Sequence, residues 1–269
     1  MQLSTDQLTQ YHEKGFLFLE NVFSTEDIQT LHQTLTSLLN TPPEGTVFEK
    51  NSSAVRALHG CHLVDDVCAR LVRQPGILRP ARQILGDDVY VYQFKVNTKA
   101  SLLGDVWEWH QDYIFWNMED GLPRPDAVNI AIFIDEVTEI NGPLILLEGS
   151  HKEGMIRMDG RGDRPEGYED SPDWIGNLTA DLKYSISKEH LNRLMTRYPP
   201  TVPKGPAGSL LFFHPNTVHG SAQNMSAFDR RLMLVTYSHA ENRPQKTQRP
   251  EFLVSRDFTP LELLHDSLA

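Results

Sequence analysis

Two residues near the middle of the chain, His110 and Asp112, stand two positions apart and could bind a metal ion. If the segment is extended, both side chains leave the same face of a strand. Two histidines and one carboxylate form the facial triad of non-haem Fe(II) oxygenases, so a second histidine is needed. His219 is the best candidate, because it follows an apolar stretch typical of a buried strand. A surface turn with a hydrogen-bonded histidine is the alternative.

A possible anion site lies close to His219 in the sequence. Arg230 follows it by eleven positions, where the last strand is predicted to begin. A guanidinium group there could bind a carboxylate through two parallel hydrogen bonds. Ser221, two positions after His219, would share its face and could add a hydroxyl. The alternative for Arg230 is a surface ion pair, a role that its neighbour Arg231 also fits.

The residues from 89 to 97 alternate and predict a strand with one polar face. Such a face normally contacts solvent, but it can also line the interior of a small barrel whose other face packs on helices. The pattern assigns Tyr90, Tyr92, Phe94 and Val96 to one face and Val91, Gln93, Lys95 and Asn97 to the other.

Helical patterns come early in the chain and strands dominate later, which indicates an α+β protein with a β core. The stretch 155–206 is rich in Asp, Gly, Pro and Arg, which indicates a surface insertion or a lid, and its part 155–184 has few apolar anchors. Helices are predicted at 6–14, after the capping residue Ser24, and at 65–71, 77–85 and 188–197. Strands are predicted at 16–19, 89–97, 128–135, 144–147, 209–213 and 232–237.

The composition excludes several classes of function. The formal net charge of −11 argues against nucleic acid or an anionic membrane as the main partner. No apolar run is long enough to cross a bilayer, and the N-terminus does not resemble a signal peptide. Cys61 and Cys68 are too few for a disulfide scaffold, so free thiols and a cytoplasmic location are expected.

Nearly the whole chain resembles the phytanoyl-CoA dioxygenase superfamily of Fe(II)- and 2-oxoglutarate-dependent oxygenases. The similarity is strongest to the branch that hydroxylates small free molecules, namely ectoine, proline and leucine. The segments that carry the resemblance are 55–62, 93–97, 104–116, 119–123, 141–143, 149–151, 213–215, 219–221 and 249–252.

The resemblance implies one domain over 1–269, with a double-stranded β-helix (jelly-roll) core and flanking N-terminal helices. It implies that His110, Asp112 and His219 bind iron, and that Arg230 binds the distal carboxylate of 2-oxoglutarate. Ser221 and Asn97 would assist Arg230. The cofactors implied are Fe(II), 2-oxoglutarate as cosubstrate, and O2.

The resemblance also implies a substrate pocket lined by Gln93 and Trp116, with Trp107 as a further lining residue. A zwitterionic substrate needs a cation for its carboxylate, and Lys95 or Arg56 could supply it. An ordinary salt bridge is the alternative for Arg56. Another residue of the same segment, His59, is expected to be a structural hydrogen bonder.

The reaction implied is hydroxylation of a free L-amino acid, foremost L-proline at C4 on the trans face, with release of succinate and CO2. L-Leucine, a methylproline and ectoine are the alternative substrates. A lipid oxygenase acting on CoA esters is disfavoured because the chain shows no basic cluster. A non-catalytic metal-binding jelly roll and a zinc hydrolase are further alternatives. The oligomeric state is left open, with a homodimer as one alternative.

Overall fold

Capping residues set where the first helices begin in the computed structural model, which describes residues 1–160, 165–246, 248–265 and 268. The Ser4 hydroxyl accepts a hydrogen bond from the backbone N–H of Gln7 and starts α1 (Thr5–Lys14). Ser24 caps α2 (Thr25–Asn40) in the same way, as predicted. The later helices are α3 (Asp66–Leu71), α4 (Pro75–Leu85), α5 (Asp112–Asp120) and α6 (Lys188–Arg197). Shorter 3₁₀ helices span Cys61–Leu63, Ser150–Glu153 and Asp173–Asn177.

Two antiparallel sheets form the β core. The seven strands of the larger sheet are β1 (Phe16–Leu19), β2 (Thr46–Phe48), β3 (Val55–His59), β4 (Val89–Lys99), β6 (Ala127–Phe133), β9 (Leu210–Phe213) and β11 (Arg230–His239). The four of the smaller sheet are β5 (Trp107–His110), β7 (Leu144–Leu147), β8 (Pro200–Thr201) and β10 (His219–Ser221). The strand order is β1-β9-β6-β11-β4-β3-β2 in the larger sheet and β5-β10-β7-β8 in the smaller.

The N-terminal helices cover the outer face of the larger sheet. Leu31 and Leu35 of α2 and Ile77 of α4 are fully buried in one apolar cluster with Phe94 and Val96 of β4. Because this side of β4 is closed by helices, its other side faces the smaller sheet. The jelly-roll core with flanking N-terminal helices is therefore confirmed.

Strand β4 lines the barrel interior, which was the alternative to a solvent-exposed polar face, but its alternation is broken. In the pairing with β11, Thr236 lies opposite Gln93 and Tyr237 opposite Val91, so that Tyr92 is an extra, bulged residue. The bulge reverses the faces on its two sides. Val89 and Val91 join Phe94 and Val96 under the helices, whereas Tyr90 and Tyr92 pack in a different cluster with Trp116. The prediction that these two tyrosines share a face with Phe94 was wrong.

The segment around Asp112 also differs from the prediction. Strand β5 ends at His110, and Asp112 is the first residue of α5. Gln111 forms the junction: its buried amide donates to the backbone carbonyls of Gly154 and Asn216. His110 and Asp112 therefore do not leave one face of a strand, and they meet because the chain turns between them.

The described parts of the stretch 155–206, residues 155–160 and 165–206, are more firmly attached than the composition indicated. The backbone N–H of Ile186 donates to the carbonyl of Trp109 at 2.7 Å, and that of Leu182 donates to the Glu108 carboxylate at 3.1 Å. Leu182, Tyr184 and Ile186 are buried. The expectation of few apolar anchors in 155–184 was therefore wrong at Leu182 and Tyr184, whereas α6 has the predicted bounds. Among the described residues, no helix is both long and apolar enough to cross a membrane.

Candidate active site

The three predicted metal ligands come together between the two sheets. Strand register places His110 of β5 opposite His219 of β10, and their ring centroids are 4.3 Å apart. Asp112 reaches both from the first turn of α5. Its Oδ1 lies 3.6 Å from His110 Nε2, and its Oδ2 lies 4.0 Å from His219 Nε2. All three side chains are buried, and their candidate ligand atoms lie within 4.8 Å of one another.

Neighbouring groups orient each of these side chains. Nδ1 of His110 lies 2.6 Å from the Glu108 carbonyl, and Nδ1 of His219 lies 2.9 Å from the Thr217 carbonyl. With Nδ1–H donating to these carbonyls, each Nε2 is free to bind a metal.

The carboxylate is held by a chain of two further polar residues. The amide of Asn129 donates to Asp112 Oδ2 at 2.9 Å and accepts from the Thr236 hydroxyl at 2.6 Å. Both residues are fully buried strand residues. The sequence analysis missed both, because nothing in their local pattern marks them.

The local charges favour the protonation states that metal binding requires. Burial opposes ionisation of Asp112, but Lys95, whose Nζ is 3.6 Å from Oδ1, and the two histidines bring its pKa below the usual range. Burial, assisted by His110, lowers the pKa of His219 to about 4. At neutral pH the cluster therefore offers a carboxylate and a neutral imidazole, which are the ligand forms that divalent metals bind.

Three unpartnered polar atoms mark a second part of the same cavity. Arg230 begins β11 with 1 % of its surface exposed. It donates to the Gly142 carbonyl, and no described residue is a partner of its Nε. Ser221 Oγ and Asn97 Oδ1 are likewise buried without a partner among the described residues. Buried polar atoms are costly when unpaired, so this group fits a polar ligand.

The charge of Arg230 suits an anionic ligand. Burial lowers its pKa to about 9, partly offset by Asp135, so that the guanidinium stays protonated at neutral pH. Arg231 is different, because it forms the ion pair with Asp135 at 2.7 Å. The ion pair that was considered as the alternative role of Arg230 is therefore formed by Arg231 instead. Leu144, Leu232, Leu234 and Phe213 form apolar walls of the same cavity.

Of the residues predicted to contact substrate, Gln93, Lys95, Trp107 and Trp116 line this cavity. Arg56 does not. Its guanidinium, fully buried, donates to Glu49 at 3.0 Å and to the carbonyls of Leu178 and Val106, and it stacks on Trp107 at 3.9 Å. The prediction that Arg56 binds the substrate carboxylate does not fit this geometry, and the salt bridge proposed as its alternative is present.

Several further residues line the cavity, although no role in it was predicted for them. Arg249 is the most informative of them: its Nε and one terminal nitrogen bind both carboxylate oxygens of Asp120, at 2.7 and 2.6 Å. Asp120 also accepts a hydrogen bond from the Tyr92 hydroxyl. The segment 249–252 is one of those that carry the family resemblance, but no function was predicted for it. The other such lining residues are His59, Phe115, Asn177, Leu178, Leu182 and Leu253.

Comparison with known proteins places this site in a family. The profile of the family described as phytanoyl-CoA dioxygenase (PhyH) matches residues 11–232. L-Proline trans-4-hydroxylase from Streptomyces griseoviridis is 45 % identical over 256 residues, covering 95 % of this chain and 94 % of that protein. Ectoine dioxygenase from Bordetella bronchiseptica is 33 % identical over 271 residues, covering 94 % and 83 %.

Solved structures agree with this assignment. The crystal structure of EctD from S. alaskensis with 2-oxoglutarate and 5-hydroxyectoine superimposes with a TM-score of 0.84, at 27 % identity, over 99 % of this chain and 89 % of that one. A second structure of EctD, with bound Fe, superimposes with a TM-score of 0.83 at 28 % identity, over the same shares of the two chains. The chain therefore belongs to the phytanoyl-CoA dioxygenase family and is an enzyme.

Proposed function

We propose that this enzyme is an Fe(II)- and 2-oxoglutarate-dependent dioxygenase that hydroxylates free L-proline at C4 on the trans face. The observation that carries the proposal is the meeting, in one cavity, of the His110–Asp112–His219 cluster and the unpartnered polar atoms of Arg230, Ser221 and Asn97. The 45 % identity to an L-proline trans-4-hydroxylase supports the substrate.

The iron would be held by His110, His219 and Asp112. Two neutral imidazoles and one carboxylate are the donor set that this class of metal site uses, and they leave other positions open. Bound Fe(II), with 2-oxoglutarate and O2, supplies the oxidant that inserts oxygen into a C–H bond and releases succinate and CO2. Asn129 and Thr236 hold the Asp112 carboxylate in the orientation in which it would bind the ion.

The cosubstrate would lie between the iron ligands and Arg230. Arg230 supplies a buried cation for the distal carboxylate, and the Ser221 hydroxyl supplies a further donor. The walls here are leucine and phenylalanine side chains, which would keep water away. The attraction between Arg230 and the distal carboxylate would therefore be stronger than in water. Ser221 and His219 both belong to β10, so this strand fixes the distance between the site for the distal carboxylate and the metal ligands.

The amino-acid substrate would occupy the part of the cavity that Arg249 and the tryptophans line. Arg249 is held rigid by Asp120 and offers a cation for a carboxylate. Lys95 was the other candidate, but its ammonium already lies 3.6 Å from Asp112. Trp107 and Trp116 limit the space, which suits a small ring better than a long aliphatic side chain.

The described residues 155–160 and 165–206 would act as a lid within a single catalytic domain. Leu178 and Leu182 belong to it and line the cavity, as does Asn177, which is buried. Closing these residues over the substrate would exclude water from the reacting C–H bond.

Competition between substrates tests the proposal, because the ectoine dioxygenase relatives make ectoine the second candidate. Iron-loaded enzyme receives equal concentrations of L-proline, L-leucine and ectoine with 2-oxoglutarate in air, and the products are separated by mass and retention time. We expect hydroxyproline to dominate. If ectoine or leucine gains oxygen while proline is untouched, the substrate assignment is wrong and the reaction class remains.

A further inference from the structure

His59 is a buried histidine of the cavity that has no role in the reaction described so far. It is the last residue of β3, is 4 % exposed, and lines the same cavity as the metal ligands. Its Nε2 has no hydrogen-bond partner among the described residues. The expectation that His59 is a structural hydrogen bonder therefore fails at this atom. A buried nitrogen without a partner, on the wall of a cavity, indicates a contact with a ligand.

The fold places His59 beside two cations. The register of β3 and β4 pairs it with Lys95. Gly60 follows with φ of +69°, and a Cβ on this glycine would lie 2.5 Å from the Cβ of Phe252. The segment 249–254 can therefore pack directly against the end of β3, which brings Arg249 to the same side. Burial and the charges of Lys95 and Arg249 lower the pKa of His59 to about 3, so its imidazole is neutral at physiological pH.

The charged groups near His59 indicate which part of a ligand its Nε2 would contact. Lys95 lies against Asp112, but Arg249 lines the cavity and uses only Nε and one terminal nitrogen on Asp120, so its other terminal nitrogen favours an anion over an ammonium group. A free amino acid carries one carboxylate. The carboxylate of 2-oxoglutarate is not needed here, because Arg230, Ser221 and Asn97 form a separate anion site. A neutral imidazole cannot provide charge, but its Nε2–H can provide a directed hydrogen bond.

We propose that His59 donates a hydrogen bond from Nε2 to the substrate carboxylate beside Arg249, and thereby favours substrates that carry a carboxylate at this position. This inference rests on the proposed function, because it takes the substrate to be a free amino acid. His59 is then a specificity-determining residue of the substrate site and has no part in binding iron or 2-oxoglutarate.

The test compares His59→Leu with His59→Gln in the iron-loaded enzyme. Leucine removes the hydrogen bond, whereas the glutamine amide nitrogen reaches to about the position of Nε2 and keeps a donor. We expect His59→Leu to raise the KM for L-proline at least tenfold, since tenfold corresponds to about 1.4 kcal/mol, near the lower end for a hydrogen bond to a charged group. His59→Gln should stay within about threefold of the wild type, and the KM for 2-oxoglutarate should change less than twofold in both.

His62 provides a matched control three positions along the chain. It also has a buried, unpartnered ring nitrogen, Nδ1, but it stacks on Phe94 and does not line the cavity. His62→Leu should leave the KM for L-proline within twofold of the wild type. If it raises the KM as much as His59→Leu does, the effect is general to buried histidines and the inference is wrong.

Pyrrolidine, used as a competitive inhibitor, tests which group of the substrate is contacted. Its inhibition constant should change less than twofold on His59→Leu, because pyrrolidine has the ring of proline without the carboxylate. An equal loss for proline and pyrrolidine would overturn the inference, as would an unchanged KM for proline or a larger effect on 2-oxoglutarate. Should His59→Leu fail to fold, His59→Gln carries the test: a rise above tenfold for proline would overturn it. Absence of proline hydroxylation by the wild type is a separate result, which contradicts the proposed function itself.

Discussion

At the scale of single residues, the candidate metal ligands are held in place by hydrogen bonds to groups that are not ligands themselves. His110 and His219 are each held at Nδ1 by a backbone carbonyl, and Asp112 is held by Asn129. The ligands themselves could be predicted, because their residue types and the resemblance marked them. Asn129 could not, because it contacts Asp112 only after β6 has taken its place beside β11.

Replacing the carboxylate ligand tests the metal assignment. We expect Asp112→Ala to reduce hydroxylation by more than about a hundredfold, because even the outer partners of metal ligands contribute about 10–100-fold. The iron-dependent visible absorption that appears when 2-oxoglutarate is added anaerobically should weaken in parallel. Turnover equal to that of the wild type would show that Asp112 does not bind the metal.

Adjacent arginines provide a matched pair for the cosubstrate site. Loss of one partner from a buried charge pair costs about 2–5 kcal/mol, so Arg230→Ala should raise the KM for 2-oxoglutarate at least tenfold. Arg231→Ala should leave this KM nearly unchanged, because Arg231 is bound to Asp135. The reverse pattern, measured by succinate formation over a range of 2-oxoglutarate concentrations, would assign the role to Arg231.

At the scale of elements, the active site depends on two irregularities. The bulge at Tyr92 turns Gln93, Lys95 and Asn97 toward the cavity while the earlier valines of β4 face the helices. The break at Gln111 begins α5 at the metal ligand Asp112. Periodicity predicted β4 and α6 well, but it could not show the bulge, because the extra residue is defined by the pairing with β11 and not by β4 alone.

The lid provides the prediction at this scale. We expect backbone amides within residues 155–160 and 165–184 to exchange hydrogen at least severalfold more slowly once metal, 2-oxoglutarate and L-proline are bound, because Leu178 and Leu182 would then pack on the substrate. Exchange in α2, which is remote from the cavity, should not change. Equal exchange of the lid segment with and without the ligands, measured by mass spectrometry, would contradict closure.

At the scale of the whole molecule, the C-terminal segment completes the cavity. Leu253 accepts a hydrogen bond from Gln93 through its carbonyl, and Arg249 reaches Asp120 from the same segment. The jelly-roll fold could be expected from the resemblance. The position of this segment could not, because it depends on close packing between Phe252 and Gly60.

Buried histidines make the stability of the whole molecule sensitive to acid. Burial lowers the pKa of both His62 and His214 to about 4, against about 6.5 in an unfolded chain. Between these values the unfolded state binds more protons, so the free energy of unfolding must fall as the pH falls from about 6.5 to 4. Urea unfolding of the metal-free protein across this range should show the decline.

The variant His62→Phe should make this decline shallower, because phenylalanine can keep the stacking on Phe94 and does not titrate. A pH profile as steep as that of the wild type would show that His62 already carries a proton in the folded state.

The ratio of hydroxyproline to succinate tests most directly whether this enzyme hydroxylates free L-proline. Enzyme loaded with Fe(II) without oxygen is mixed with 2-oxoglutarate and L-proline and then exposed to O2, and succinate and hydroxyproline are quantified with the product identified by NMR. We predict one trans-4-hydroxy-L-proline for each succinate, and little succinate when proline is omitted. Succinate formed at the same rate with and without proline, with no hydroxyproline, would contradict the claim that this cavity oxidises free L-proline.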